Sequence, residues 1–251
     1  MKCREKGFQV GDIYARPGDG IGLIAPAGHI LQKEIQPGIE LLEAQGYLVK
    51  RADNLFGKHR YFSGTITQRV SDIHDFLDDP DIKVLYAVRG GSGSSQLLPH
   101  LDYAKWRISG KPLIGFSDIS ALQWAIWHNS AIKSVSGMAL TFQLRTSNPY
   151  ISLFLRQLRG TRKSITARDL QKEKLVVARE GEARGILLGG TLSIIVSLLG
   201  TPYFPENDEN IILFIEEVNE PLYRMERAIV QLKLSGFVDR VRGLILGRFK
   251  L

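Results

Sequence analysis

The 251-residue sequence predicts an α/β fold: an N-terminal doubly wound parallel-sheet domain, then a smaller α+β domain, β-rich and of the swivelling type. Three observations carry this. In the first half, short apolar runs alternate with segments of helical spacing; strand, crossover helix and strand in repetition build a parallel sheet covered on both faces. Beyond residue 175, strand-like runs outnumber helical ones. Between the two patterns lies a basic stretch with the character of a linker. The expected boundaries are 1–145, a linker over 146–175, and 176–251.

The elements follow in order. Residues 21–25 form an apolar run stopped by Pro26 and read as a strand. Residues 31–45 have helical spacing and end at Gly46, a residue suited to the position just past a helix. Residues 47–51 look extended. Residues 67–77 are helical, halted by Asp78-Asp79-Pro80. An apolar strand over 84–88 runs into Arg89-Gly90-Gly91-Ser92-Gly93. A short strand over 113–115 precedes a helix over 119–127. In the second half, 175–178, 185–188, 211–218 and 243–246 read as strands. Residues 222–235 read as a helix stopped by Gly236. The stretch 185–205 carries no charge. Its glycines and Pro202 leave only 191–199 continuously helical, well short of the roughly 20 residues a membrane span needs. No membrane insertion is expected.

Composition narrows the class. Hydrophobic residues make up 44% and charged residues 24%, ordinary globular usage that argues against disorder, collagen or repeats. The single cysteine, Cys3, allows no intrachain disulfide and points to a reducing compartment. Met1 to Gly11 is polar and mixed in charge, unlike a signal peptide. The net charge of +7 is uneven. Residues 1–125 carry 15 bases and 14 acids, and residues 126–251 carry 18 and 12. Arg145, Arg156, Arg159, Arg162, Lys163 and Arg168 follow one another with no acid between. Such a run attracts polyanions, but no aromatic interleaves it, so nucleic-acid binding is not expected. A solvated connecting segment explains the same residues.

Three local features could carry chemistry. In Lys111-Pro112-Leu113-Ile114-Gly115-Phe116-Ser117-Asp118-Ile119-Ser120, a strand ends, a serine stands at the turn and a helix begins. Such a turn lifts a hydroxyl above the carboxyl edge of a sheet, with the next N–H at a helix start. The full G-x-S-x-G elbow is absent, because Ile119 fills the second glycine position. Helix capping by Ser117 or Asp118 fits the same letters. The glycine-rich turn Arg89 to Ser95 offers backbone N–H groups for a phosphate or for half an oxyanion hole. It matches neither the P-loop nor the dinucleotide fingerprint. In Ile211-Ile212-Leu213-Phe214-Ile215-Glu216-Glu217-Val218, alternation puts Glu216 on the face of Ile212 and Phe214, and Glu217 on the opposite face. A carboxylate there could orient a histidine or sit in solvent or an ion pair. His29, His59, His74, His100 and His128 show no metal-ligand spacing with another His, Cys or acid, so no dedicated zinc site is expected.

Taken together, these segments resemble the LD-carboxypeptidase family of serine peptidases, which includes the microcin C self-immunity peptidases. The resemblance rests on Pro17-Gly18-Asp19-Gly20-Ile21-Gly22-Leu23-Ile24-Ala25-Pro26, on Arg89 to Ser95 with Leu97-Leu98-Pro99, and on Gly115-Phe116-Ser117-Asp118-Ile119-Ser120. Further on it rests on Gly189-Gly190-Thr191-Leu192-Ser193, Leu199-Gly200-Thr201-Pro202, Phe214-Ile215-Glu216-Glu217-Val218, Tyr223-Arg224 and Gly243-Leu244-Ile245-Leu246-Gly247-Arg248-Phe249. These occur in family order across nearly the whole chain.

The resemblance implies Ser117 as nucleophile and Glu216, with Glu217 the less favoured choice, as the acid that orients a histidine. It implies Gly91 and Asp118 as the backbone N–H donors of an oxyanion hole. It further implies removal of the terminal D-alanine from murein tetrapeptide in cytoplasmic cell-wall recycling, by a cofactor-free homodimer. The immunity-type alternative cleaves a peptidyl-nucleotide. The family's histidine follows the stretch matched by residues 243–249, in a glycine-histidine context that none of the five histidines shares. The expectation is therefore a chain whose second domain is incomplete and whose base is missing, with a non-catalytic murein-peptide binder as a further alternative.

Overall fold

The computed structural model describes residues 14–161, 165–166, 175–206 and 210–250. Cys3, Met1 to Gly11, Arg162, Lys163 and Arg168 lie outside them. The chain divides into two units, Met1–Leu175 and Val176–Leu251.

The first unit alternates strand and helix: β1 (Gly20–Ile24), α1 (Gln32–Ala44), β2 (Leu48–Arg51), α2 (Ile66–Asp78), β3 (Ile82–Ala87), α3 (Tyr103–Ser109), β4 (Leu113–Gly115), α4 (Ser120–Ser130) and β5 (Val135–Ser136). The five strands pair in the order β2-β1-β3-β4-β5, all parallel. Every residue of β1 and β4 is buried, and in β3 only Lys83 is exposed. Such strands read as unbroken apolar runs because helices cover both of their faces. The chain places β2 on one side of β1 and β3 on the other, and this reversal opens a crevice at the carboxyl ends of the strands.

Local chemistry sets the helix ends. Thr65 and Gln68 close the start of α2 reciprocally: Gln68 N–H donates to Thr65 Oγ1 (3.2 Å), and Thr65 N–H donates to Gln68 Oε1 (2.9 Å). At its other end, buried Lys111 donates from Nζ to the carbonyls of Phe76, Leu77 and Asp79 at 2.7, 2.9 and 2.6 Å. A cation among the free carbonyls of a helix end is favourable, and it ties α2 to the residues that enter β4.

Two expectations are corrected here. The stretch 146–175, read as a linker, holds α5 (Ile151–Leu158), whose Phe154, Leu155 and Leu158 are buried. Phe154 lies 6.3 Å from the Tyr86 ring, and Ala15 N–H donates to Leu158 O (3.1 Å). Ile151, Phe154, Leu155 and Leu158 make an i, i+3, i+4, i+7 stripe, a signal that the surrounding arginines obscure. The strand expected over 175–178 is not formed. Leu175, Val176 and Val177 are exposed and have no ladder partner among the described residues, and β-propensity alone makes no strand.

The basic run has intramolecular roles where it is described. Arg145 donates to four backbone carbonyls, and Arg159 Nη2 donates to Gln45 Oε1 (2.8 Å).

The second unit has three parallel strands in the order β6-β7-β8: β6 (Ile186–Thr191), β7 (Ile211–Val218) and β8 (Val241–Lys250). Helices α6 (Leu192–Ser197) and α7 (Leu222–Leu234) lie in the connections. Along β7, Ile211, Leu213, Ile215 and Glu217 are buried, and Ile212, Phe214 and Glu216 are half-buried, the alternation read from the sequence. Phe204 and Phe237 meet edge to face at 5.1 Å within its core. The uncharged stretch 185–205 becomes β6 and the six-residue α6. Among the described residues, no helix is long and apolar enough to cross a membrane.

Candidate active site

β4 ends at Gly115, and the chain turns sharply through Phe116 into a single 3-10 turn, Ser117–Ile119, that leads straight into α4. Ser117 sits at φ +58°. That left-handed conformation strains any residue with a Cβ and persists only where its surroundings enforce it. The turn is so tight that a Cβ on Gly115 would stand 2.4 Å from Ile119 Cγ2. Glycine at 115 therefore makes room for the isoleucine that fills the second elbow position. The strand–serine–helix turn read from the sequence is present, built with one glycine.

The glycine-rich turn after β3 packs against this elbow. A Cβ on Gly90 would lie 2.9 Å from Ser117 Cβ and 3.2 Å from Ser117 Oγ. Gly91 and Gly93 have φ of +121° and +106°, accessible to glycine and to few other residues. Asp118 ties the two turns together. Its Oδ2 accepts Ser94 N–H (2.9 Å), and its backbone oxygen accepts the Ser94 hydroxyl (2.5 Å). Burial pushes the Asp118 carboxyl above the usual carboxylate range, opposed by the Ser94 bonds and by the charge of Arg69. Arg69, itself buried, donates from Nη1 to Pro26 O (2.7 Å) and Gly93 O (3.0 Å) and from Nη2 to Gln96 Oε1 (3.0 Å). Its guanidinium stacks on Phe62, 4.7 Å from the ring centre. Burial lowers the pKa of this guanidinium.

Ser117 opens into a cavity of about 490 Å³. Gly90, Gly91, Phe116, Thr141 and Phe142 line it. Phe116 and Phe142 meet edge to face at 6.3 Å. Lys33, Arg89 and Arg145 bring three positive charges against the single carboxylate of Glu34, and such an excess favours an anionic ligand. None of the lining residues is a histidine. Among the described residues, no group of His, Cys, Asp or Glu could hold a metal ion.

Ser117, Gly91 and Asp118 thus come together in the first unit, whereas Glu216 and Glu217 belong to the second. There the two glutamates differ. Glu217 is buried, with Oε2 accepting Ser193 N–H (2.8 Å) at the start of α6 and Oε1 accepting Val218 N–H (3.0 Å). Both its oxygens are engaged by backbone. Glu216 accepts one bond, from the Thr191 hydroxyl to Oε1 (2.5 Å). Burial raises its pKa, as does the neighbouring Glu217 charge, while the Thr191 bond opposes the rise.

Sequence reasoning missed Arg69 and the part of the cavity lining from Thr141 to Arg145. Arg69 had no visible signal, since an arginine within an amphipathic helix normally faces water. Phe142 gave none either, since nothing in its local pattern brings it to β4.

Comparison with known proteins follows the same division. Residues 21–137 match the LD-carboxypeptidase N-terminal domain, and residues 184–251 match the LD-carboxypeptidase C-terminal domain. The chain is 32% identical over 248 residues to the murein tetrapeptide carboxypeptidase of Pseudomonas aeruginosa, covering 93% of this chain and 78% of that protein. Among solved structures, it is similar to a muramoyltetrapeptide carboxypeptidase from Oxalobacter formigenes, with TM-score 0.74 and 30% identity, covering 92% and 76% of the two chains. An MccF-like protein from Bacillus anthracis superposes with TM-score 0.82 at 25% identity, covering 95% and 80%.

Proposed function

Since this chain belongs to the LD-carboxypeptidase family and is a carboxypeptidase, we propose that it releases the terminal D-alanine of murein tetrapeptide with Ser117 as nucleophile. The observation that carries the reading is Ser117 at φ +58°, at the carboxyl end of β4, beside the Gly90-Gly91 turn and open to a cationic cavity.

In this reading Ser117 Oγ attacks the carbonyl of the bond between the L-centre and D-alanine. A histidine takes the hydroxyl proton and returns it to the departing amine, leaving an acyl-serine that water then hydrolyses. The Gly91 and Asp118 N–H groups, which donate to no protein acceptor among the described residues, stabilise the tetrahedral oxyanion. Glu216, with one oxygen unengaged among the described residues, is better suited than Glu217 to hold the histidine. The base lies outside the lining of the Ser117 cavity, which has no histidine. We further assign a homodimer acting in the cytoplasm on peptides recovered from the cell wall.

The test is D-alanine release from murein tetrapeptide, by the 251-residue chain and by a form extended to the next stop codon of its reading frame. Release by either form is expected. If neither releases D-alanine but calorimetry detects tetrapeptide binding, the protein is a binder and not a peptidase. Gly90→Ala gives a graded check. Its added methyl would press on Ser117, and displacements on the order of 1 Å cost about 10²-fold. D-alanine release should fall by about that factor; an unchanged rate would remove Ser117 from the chemistry.

One observation favours a second reading. The Phe116–Phe142 pair in the cavity wall offers the aromatic surface on which a nucleobase stacks. Faster hydrolysis of a peptidyl-nucleotide than of murein tetrapeptide would select the immunity-type activity.

A further inference from the structure

A D-alanine leaving group carries its own carboxylate, so the cavity needs a cation to receive it. Three cations line the cavity, and they are not equivalent. Arg145 donates from Nη1 to Leu140 O (2.8 Å) and Leu144 O (2.9 Å), and from Nη2 to Glu34 O (3.2 Å) and to Thr141 O. All four of its terminal hydrogens are engaged in holding this part of the lining to α1. Lys33 is exposed and has no protein partner among the described residues to fix its position. Glu34, the one carboxylate in the lining, accepts Leu31 N–H at Oε2 (2.8 Å).

Arg89 differs from both. It is half-buried and directly precedes the Gly90-Gly91 turn. Nε donates to Gly90 O (3.2 Å) and Nη1 to His29 O (2.9 Å). A Cβ on Gly28 would stand 3.3 Å from Nε, so glycine there leaves the seat for the guanidinium. Two of its nitrogens are anchored, and Nη2 has no protein partner among the described residues. An arginine held this way loses little entropy when it binds a carboxylate, and its planar fork suits that geometry. We propose that Arg89 is the specificity-determining residue that receives the substrate's terminal carboxylate, making the site a carboxypeptidase site and not an internal endopeptidase site. The proposal rests on the murein-peptide reading above.

The test measures binding, so it needs no turnover. In a Ser117→Ala background, calorimetry compares murein tetrapeptide with the same peptide carrying a C-terminal carboxamide. The acid should bind at least tenfold more tightly than the amide. Arg89→Gln should bring that ratio to near one, and Arg89→Lys should keep an intermediate preference. A ratio in Arg89→Gln equal to that of the parent overturns the proposal, including when both affinities fall together through damage to the turn. Absence of any acid preference in the parent overturns it equally. If the parent binds neither peptide, the murein reading itself fails and the assignment of Arg89 falls with it.

Discussion

In the form that releases D-alanine, Ser117→Ala should lower that release by roughly four to six orders of magnitude while leaving the fold as stable as before. The catalytic part follows from the role: serine-peptidase nucleophiles act as a unit with their base, and removing the nucleophile leaves only what binding and the oxyanion hole supply. The stability part follows from the surroundings. Ser117 Oγ has no hydrogen-bond partner in the protein among the described residues, so its removal orphans no donor or acceptor. The left-handed backbone at φ +58° costs alanine and serine similar strain. Rate assays and thermal melts on the same preparation separate the two effects. A variant that keeps more than a tenth of the parent rate would show that another residue attacks the substrate. A large drop in melting temperature would show that the hydroxyl is structural.

Arg69→Met is expected to do the reverse, acting on stability first. Methionine keeps most of the side-chain volume but strands the Pro26 carbonyl; it also removes the charged donors to Gly93 O, which keeps the Gln96 N–H, and to the exposed Gln96 Oε1. Hydrogen bonds from a charged donor contribute about 1.5–3 kcal/mol each, and unsatisfied buried acceptors add a penalty. Even with partial relaxation, a loss of about 3 kcal/mol is expected, or roughly 6–12 °C in melting temperature for a chain of this size. The loss should depend on pH. The folded-state pKa of Asp118 is raised above its ordinary value of 3.8, and Arg69 is one of the groups that holds it down. Removing Arg69 raises it further. A raised carboxyl favours the folded state at low pH and loses that contribution as pH rises through the folded value. The deficit of Arg69→Met relative to the parent should therefore grow from about pH 4 to pH 7. Urea titrations at the two pH values measure it, and a deficit independent of pH would mean that Arg69 and Asp118 are not coupled.

Much of the fold was legible because a parallel sheet writes itself in runs. β1, β3 and β4 are buried on both faces, so their residues had to be apolar throughout, and the runs were found within a residue or two. The helices that escaped notice were those whose apolar stripe was short or set among charges, as in α3 and α5. Residues 175–178 had strand letters but no partner to pair with. At the site, Ser117 and its glycine neighbours could be read because strained backbone and close approach restrict residue type. Arg69, Arg89 and Phe142 could not be assigned from sequence. What they do depends on which distant carbonyl or ring the fold brings near, and no local pattern encodes that.

The strand pairing of both sheets also bears on how the chain reaches this state. Every paired strand in β1–β5 and in β6–β8 runs parallel to its neighbours. Parallel neighbours cannot form from a tight hairpin, so each ladder waits for a crossover to fold or at least to collapse. β1 is flanked on one side by β2 and on the other by β3, where Ile21 meets Val84. Its apolar residues are made early and buried only after the chain past α2 has emerged. Sheets assembled from such distant pairings fold slowly and expose unpaired edges meanwhile. During synthesis, β1 is thus a segment in need of shielding from aggregation.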